Sequence, residues 1–316
     1  MTSQKSKKGT KKGTKKGTKK GTKKGTKKGT KKNTKNLVQL NCSPTNQTKE
    51  YTCYTDDDLK KMKKMWNVRH PDEQITTTNS KNIWKELKNY YSNTCNKESC
   101  WVKQMSNGTK METELLNAFA PESPDNWKKN PNQWLSSIDI LSVMSQYENK
   151  YKCFDFIGPS PIDYDTHKIN NDCVWEELCN FNLDKLIKKG KTKIAVIFNT
   201  DPHYKGGSHW ISLFINVKKK KILFFDSAGS VAPEQVKKFA DTVIKQGKEL
   251  KKEIIFSFDQ NHPVVHQHSN TECGMYSLFF IIHMLEDKLT GHYIKTHIIK
   301  DKYVEKYRKI FFNEKL

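Results

Sequence analysis

Residues 193–226 read KIAVIFNTDPHYKGGSHWISLFINVKKKKILFFD and consist of three apolar runs separated by two polar segments. Each run is short and rich in β-branched and aromatic residues, so the pattern predicts strands at Lys193–Asn199, His209–Val217 and Lys221–Asp226. The lysines at 218–220 leave room only for a tight turn between the last two runs, which favours an antiparallel pair. Three consecutive apolar strands predict a sheet at the centre of the fold.

Helical patterns flank these strands in the sequence. Cys273–Glu286 is apolar over most of its surface, which predicts a centrally buried helix, whereas Glu234–Leu250 is amphipathic. The other predicted elements are a fourth strand at Glu253–Phe258 and helices at 56–70, Lys81–Tyr91, Ser136–Tyr147 and Val174–Lys188. The predicted fold class is α+β, with a mixed sheet packed between helices and a small helical arm before it.

The chain divides into three predicted segments. Residues 1–36 include six copies of Gly-Thr-Lys-Lys over residues 9–32 and have no apolar side chain beyond Met1, which predicts a disordered, lysine-rich repeat tail. Residues 37–120 are interpreted as a linker and helical arm domain, and residues 121–316 as the core domain. The tail is either a solubilising repeat or an arm that binds nucleic acid or another polyanion. Lysines without interleaved aromatic residues attract phosphate but do not read bases.

Charge and composition exclude several classes of protein. Lys and Arg number 57 against 34 Asp and Glu, for a formal net charge of +23. The first 36 residues hold 16 lysines and no acidic residue, so the rest of the chain carries only +7 from 41 basic and 34 acidic groups. The longest apolar run, Met275 to Leu285, contains Ser277 and His283, so we expect no membrane span and no secretory signal. Eight cysteines without such a signal favour reduced thiols in a cytosol-like compartment.

Three polar residues stand at the ends of predicted elements and a fourth lies on a loop before one, where catalysis could use them. Cys273 begins the buried helix, whose N-terminus stabilises a thiolate. His209 follows the loop glycines 206 and 207 and is a candidate general base. Asp226 ends the next strand, so antiparallel pairing can place it beside His209. Gln267 precedes Cys273 by six residues and can donate its amide to an oxyanion.

Three of these residues have a commoner structural explanation when taken alone: Cys273 as an inert core cysteine, His209 as a surface histidine and Asp226 as a turn aspartate. Together they form a specific pattern, His209-Trp210, then Asp226, then Gln267 and Cys273-Gly274 before an apolar helix. Trp210 and Trp134 are candidate substrate-binding residues that could wall a narrow channel, and core packing explains them equally well.

The pattern resembles the cysteine proteases that process ubiquitin-like proteins, together with the adenovirus maturation protease, which form one clan. Trp134-Leu135-Ser136-Ser137 at a helix start resembles that clan's Trp-Leu-Asn-Asp segment. Within the clan, the segment from Phe198 to Trp210 is most similar to the polyprotein-processing proteases of large DNA viruses of the African swine fever virus type. The resemblance covers about residues 130–290.

The resemblance implies a papain-like, Ulp-type core and a thiol endopeptidase. His209, Asp226 and Cys273 would be catalytic, and Gln267 would form the oxyanion hole. It further implies cleavage of a viral core polyprotein at Gly-Gly-type sites during virion maturation, with the protease in the virion and the host cytoplasm.

Three alternatives stay open. Deconjugation of SUMO or ubiquitin-like proteins uses the same fold, but Ser137 occupies the position at which deconjugating members carry an acidic residue. An acyltransferase would use the same His, acidic group and Cys. A non-enzymatic, basic nucleic-acid-binding virion protein would use the tail alone, and would not need the four-residue pattern.

The sequence predicts no cofactor and no metal site. The spacings of Cys95 with Cys100 and of Cys173 with Cys179 differ from those of paired zinc ligands. Three histidines flank Gln267, at 262, 266 and 268, and we interpret them as parts of a polar active-site loop.

Overall fold

The structure is a computed structural model that describes residues 36–46, 49–106, 108–168 and 170–314. Apart from Asn36, the lysine-rich tail predicted for residues 1–36 lies outside this range. The described residues belong to one compact unit. None of their helices has the length and apolar character needed to cross a membrane.

A mixed sheet of five strands lies at the centre of the described fold. In spatial order, which is also chain order, the strands are β1 (Phe154–Pro161), β2 (Lys193–Asn199), β3 (Trp210–Asn216), β4 (Lys221–Phe225) and β5 (Ser257–Gln260). The pairs β2–β3 and β3–β4 are antiparallel, whereas β1–β2 and β4–β5 are parallel. The predicted α+β class with a mixed sheet is therefore confirmed.

The helices of the described ranges surround this sheet or precede it. They are α1 (Asp56–Arg69), α2 (Ser80–Tyr91), α3 (Glu98–Ser106), α4 (Lys110–Leu116), α5 (Ser137–Lys150), α6 (Glu176–Cys179), α7 (Leu183–Lys188), α8 (Glu234–Glu249), α9 (Cys273–Leu285), α10 (Gly291–Thr296), α11 (Asp301–Val304) and α12 (Arg308–Phe311). Short 3₁₀ turns lie at Asp125–Lys128 and Glu305–Tyr307.

The two faces of the sheet pack against different helices. Alternate residues of β2 illustrate this, because Ala195 and Ile197 join the cluster that contains α5 and α9, whereas Ile194 and Val196 join the cluster that contains α8. Successive strand side chains point to opposite faces, so a strand covered on both sides is apolar at every position. This explains the unbroken apolar runs of the sequence.

Two predicted elements differ from the structure. The helix predicted at Val174–Lys188 is two short helices, because the Asn182 side chain caps α7 by accepting from the Lys185 N–H. The strand predicted at Glu253–Phe258 begins later, as β5. Strand β1 was not predicted, because Gly158, Pro159 and Pro161 are residues that normally interrupt strands.

The helical arm has an apolar cluster of its own, formed by residues between Leu40 and Phe119. Asn313, near the C-terminus, connects this arm to the core. Its Nδ2 group donates to Ala120 O (3.0 Å) and Asn41 O (2.9 Å), and its Oδ1 accepts from Asn41 N–H (2.7 Å). The predicted boundary between the helical arm domain and the core domain, at residue 120, remains a prediction.

The cysteines correct one expectation. Six of the eight form disulfides in the structure, Cys42–Cys53, Cys95–Cys100 and Cys173–Cys179, whereas the sequence favoured free thiols throughout. Each pair is close in sequence, and local folding brings the Cα atoms within 5.1–6.3 Å, which is disulfide-forming distance. Cys153 and Cys273 are free.

Candidate active site

Cys273 is the first residue of α9, and its side chain is buried at 2% exposure. The helix that follows is buried on almost every side, so the cysteine stands on a rigid support. The N–H groups of a first helical turn have no intrahelical partner and favour negative charge nearby. The thiol of Cys273 therefore lies at a helix N-terminus, a position that favours its thiolate form.

Strands β3 and β4 bring His209 and Asp226 together at one end of the sheet. His209 directly precedes β3, Asp226 directly follows β4, and His209 Nε2 lies 2.6 Å from Asp226 Oδ1. The Asp226 side chain is 4% exposed and that of His209 is 24% exposed. With Nε2 facing the carboxylate, Nδ1 is the ring nitrogen left for Cys273.

The Asp226 carboxylate is fixed by backbone donors. Ala228 N–H donates to Oδ1 (2.9 Å) and Ser230 N–H donates to Oδ2 (3.2 Å), so the turn after β4 wraps around the side chain. The Asn261 side chain holds the Asp226 backbone, accepting from its N–H and donating to its carbonyl, each at 2.8 Å. Sequence reasoning missed Asn261, since nothing in its sequence context points to this buried role.

The electrostatics of the pair favour a charged imidazole. Burial of the His209 ring acts to lower its pKa, but hydrogen bonds to Asp226 and Cys273 outweigh burial and raise the pKa of His209 to about 9. Burial likewise opposes ionisation of Asp226, yet the hydrogen bond and charge of His209 hold the pKa of this carboxyl below its usual value. At neutral pH the site therefore contains an imidazolium beside a carboxylate.

Gln267 is held on the loop that leads to α9. Its Oε1 accepts from the Ser227 hydroxyl (2.7 Å), and its Nε2 donates to Ser269 O (2.6 Å). The backbone N–H groups of His266 and Gln267 both donate to Ser227 O at 2.9 Å, so this loop is tied to the turn after Asp226. An amide Nε2 carries two hydrogens, so a second one can be donated to a substrate oxygen.

The remaining predicted residues, Trp134 and Trp210, border one open groove of about 560 Å³ that also includes Gly206 and Gly207. Trp210 is 8% exposed and donates from Nε1 to Leu135 O (3.0 Å), whereas Trp134 is 38% exposed. Gly274, next to Cys273, packs against Trp210 and Leu135, where an added Cβ would lie 3.2 and 3.0 Å from their atoms. Leu135 and Trp210 thus line the groove and also contact the residue next to Cys273.

The histidines around Gln267 do not form a cluster. His266 is fully buried and accepts through Nδ1 from Ile299 N–H (3.1 Å), whereas His262 is hydrogen-bonded to Gly229 O (2.7 Å). Because each ring bonds a different backbone group, we interpret His262 and His266 as residues that hold the loop in place.

A buried ion pair at the start of α9 was not predicted. The Arg308 guanidinium donates three hydrogen bonds to the Glu272 carboxylate at 2.8–3.2 Å, and Glu272 precedes Cys273 directly. Arg308 also donates to Gln133 O (2.9 Å), beside Trp134, and lies 4.5 Å from the ring centre of Trp127. The signal available in the sequence was that Arg308 is one of only two arginines in a lysine-rich chain.

Comparison with known proteins identifies the family. Residues 139–316 match the Ulp1 protease family, C-terminal catalytic domain. A thiol protease of Acanthamoeba polyphaga mimivirus is 32% identical over 77% of this chain and 84% of its own length. A protein of African swine fever virus named a SUMO-1 cysteine protease is 28% identical over 76% of this chain and 93% of its own length.

The fold is also that of a solved viral enzyme. The crystal structure of the African swine fever virus protease superposes with a TM-score of 0.62 at 21% identity, covering 87% of this chain and 96% of that one. The predicted resemblance to Ulp-type proteases is confirmed, and the alternative of a non-enzymatic binding protein is not supported. The chain belongs to the Ulp1 protease family of cysteine peptidases.

Proposed function

We propose that this peptidase cleaves a viral core polyprotein after Gly-Gly-type sites during particle maturation, with Cys273, His209 and Asp226 as its catalytic residues. The observation that carries the assignment is the 2.6 Å contact of His209 with a buried Asp226, on a ring that also bonds Cys273 at the head of a buried helix. A nucleophile, its base and an orienting carboxylate are the components of covalent acyl transfer.

The proposed reaction begins from a thiolate–imidazolium pair. This pair arises when His209 takes the Cys273 proton, and its thiolate then attacks the scissile carbonyl carbon to form a tetrahedral intermediate. Its collapse breaks the C–N bond, and His209 returns the proton to the leaving amine. Water, activated by His209, then hydrolyses the thioester and regenerates the thiol.

The oxyanion of each intermediate would be stabilised by Gln267 Nε2 and the backbone N–H of Cys273. Each such donor contributes about 3–4 kcal/mol in comparable sites. Ser227 and Ser269 hold the Gln267 amide, so it would be oriented before substrate binds.

The groove supports a preference for glycine before the cut. Trp134 and Trp210 border it, and its lining at Gly206 and Gly207 presents backbone to the substrate. A glycine pair has no side chains, so it is the segment that lies most easily in a groove bordered by two tryptophans.

Deconjugation of a SUMO-like protein is the second candidate, since a relative carries the name SUMO-1 cysteine protease. The residues at the start of α5 argue against this candidate, because deconjugating members use an acidic residue there to dock the SUMO-like protein. Ser137 has no charge, and the Asp139 carboxylate accepts from the Ser136 N–H (2.8 Å) and hydroxyl (2.6 Å) in a capping box. An acyltransferase reaction of the same residues remains a third candidate.

One assay separates these candidates. Full-length protein is incubated with polyprotein fragments that contain Gly-Gly, with SUMO-like precursors, and with acyl donors plus an amine acceptor. We expect cleavage after Gly-Gly in the polyprotein fragments and none with Cys273→Ala. Faster processing of SUMO-like precursors would favour the deconjugase, and acyl transfer without hydrolysis would favour the third candidate.

The proposed setting is the virion and the host cytoplasm, with the lysine-rich repeat as an arm for nucleic acid. Sixteen lysines within 36 residues supply the phosphate attraction that such an arm needs.

A further inference from the structure

Three potential metal ligands meet outside the proposed active site. His167 Nε2, Cys173 Sγ and Cys179 Sγ all lie within 4.8 Å of one another. The distance from Cys173 Sγ to His167 Nε2 is 3.7 Å. His167 is exposed, Cys173 is buried and Cys179 is half-buried, so an ion could enter from the His167 side.

The backbone holds these three residues in place. His167 and Cys173 face each other in an antiparallel bridge, closed by Lys168 N–H to Asp172 O (2.8 Å) and Val174 N–H to Thr166 O (2.9 Å). Cys179 ends α6, and its N–H donates to Trp175 O (3.1 Å). The ligand positions therefore depend on regular hydrogen bonding and not on a long flexible loop.

The spacing fits a tetrahedral zinc ion. With Zn–S of about 2.3 Å and Zn–N of about 2.0–2.1 Å, a sulfur and a nitrogen on one tetrahedron lie about 3.5–3.6 Å apart. The observed 3.7 Å between Cys173 Sγ and His167 Nε2 is close to this separation. The sulfurs of Cys173 and Cys179 are bonded to each other in the structure, with Cα atoms 6.3 Å apart. On one zinc ion the two sulfurs would lie about 3.8 Å apart, so the thiols must rotate apart about their Cα–Cβ bonds before the ion binds.

We propose that His167, Cys173 and Cys179 bind Zn²⁺ when the two sulfurs are reduced, with water as the fourth ligand. Two thiolates and one imidazole are a donor set that selects zinc among the abundant divalent ions. Binding displaces one proton from each thiol. The linear spacing of the cysteines argued against a metal because it did not reveal His167, which the hairpin brings beside them.

The site would fix one wall of the substrate groove. Lys168, Val174 and Trp175 line that groove and lie in the same segment as the ligands. Trp175 N–H donates to Tyr164 O (3.0 Å), which anchors the segment to the sheet cluster. In a reducing compartment, two small-molecule thiols would reduce the disulfide by exchange and leave as their own disulfide, and zinc would then replace it as the cross-link of residues 167–179.

The test uses full-length protein carrying Cys273→Ala, which removes the active-site thiol as a competing ligand and makes the result independent of catalysis. A phosphine reductant cleaves the disulfides, taking oxygen from water and leaving two thiols per bond. The protein is then dialysed with Zn²⁺, and bound zinc is measured by elemental mass spectrometry. Co²⁺ in place of Zn²⁺ reports thiolate ligation through its sulfur-to-metal charge-transfer absorption.

We expect one equivalent of zinc whose affinity falls at least tenfold in His167→Asn and in Cys173→Ser, with loss of charge-transfer intensity in the latter. Cys153→Ser and His292→Asn are matched controls away from the cluster and should change neither readout. Because His167 is exposed, His167→Asn answers the question even where Cys173→Ser fails to fold. Three outcomes would overturn the proposal: no bound zinc, zinc binding that is unchanged in His167→Asn, or a Cys173–Cys179 bond that survives reduction.

Discussion

At the scale of single residues, the site depends on which groups carry a proton. His209 is the pivotal residue, because it contacts both the Asp226 carboxylate and the Cys273 thiol. Its two neighbours favour the imidazolium and oppose the effect of burial. The first two predictions concern this proton and the thiolate that it leaves behind.

Cys273 should react with iodoacetamide faster than Cys153 near neutral pH. Cys153 is more exposed, but Cys273 has the helix N-terminus and His209 to stabilise its thiolate. Peptide mapping of partially alkylated protein measures both sites at once. His209→Ala is the control, since it should abolish the advantage of Cys273, and equal reactivity of the two cysteines in the unmutated protein would contradict the assignment.

Turnover should fall as pH rises through about 9, the pKa of His209, because the leaving amine requires the imidazolium proton. The pKa of His209 in the folded protein lies above the ordinary histidine value of about 6.5. The imidazolium charge therefore stabilises the fold fully below about pH 6.5, and this stabilisation is lost as the pH rises through about 9. Asp226→Asn should move the basic limb of the rate profile to lower pH.

Asp163→Asn is a matched control for that shift, because Asp163 makes a similar 2.7 Å contact with His203. It should leave the position of the basic limb unchanged. A limb that stays near pH 9 in Asp226→Asn would show that another group sets the pKa of His209.

At the scale of elements, the start of α9 is held by charge as well as by packing. Glu272 is fully buried and Arg308 is 5% exposed, although 36 residues separate them in sequence. This pair joins the helix that carries Cys273 to the segment before Trp134, through the bond from Arg308 to Gln133 O. Arg308 therefore anchors both the start of α9 and the segment that leads to Trp134.

Arg308→Met should destabilise the protein by about 3–5 kcal/mol, because it leaves the Glu272 carboxylate buried without its cationic partner. Urea unfolding measures the loss, and peptide turnover should fall with it. Adding Glu272→Gln to Arg308→Met should recover part of the stability, since no unpaired charge then remains.

The matched control is Lys188→Met, which removes the exposed ion pair with Asp184, whose side chains are 74% and 50% exposed. Exposed pairs contribute about 0–1 kcal/mol, so little change is expected. Equal losses in the two variants would mean that the buried pair does not hold the start of α9.

At the scale of the whole molecule, most of the net positive charge and the apolar clusters lie in different parts of the chain. The first 36 residues have one apolar side chain, Met1, and hold most of the net charge, whereas the arm and the core contain the apolar clusters. Deletion of residues 1–36 should therefore leave the melting temperature and small-peptide turnover nearly unchanged.

The same deletion should weaken binding to DNA or RNA and flatten its salt dependence. Each phosphate contact adds about 0.7–0.9 to the log–log salt slope, and the deletion removes 16 lysines. A salt titration of nucleic-acid affinity for full-length and truncated protein measures the difference. Indistinguishable slopes would show that the repeat is a passive spacer.

The sequence by itself determined the central strands, the buried helix and the identity of the family. Strand β2 has the predicted bounds, and α9 ends one residue before the predicted end, because apolar periodicity is a local property of the chain. The pattern could be recognised because His209, Asp226 and Cys273 stand at element ends and Gln267 lies on the loop before α9. Their catalytic roles stay predictions that the experiments above test.

Only the tertiary structure decided which distant side chains meet. The Glu272–Arg308 pair and the bonds of Asn313 to the arm depend on how separate segments pack. The disulfides and the placement of His167 beside Cys173 depend on the conformation of short loops, which apolar periodicity does not report. Strand β1 likewise depends on tertiary pairing, since its Gly and Pro residues are accommodated by an irregular register with β2. The physical reason is that periodicity reports the burial of one element, whereas a contact between two elements depends on the whole packed arrangement.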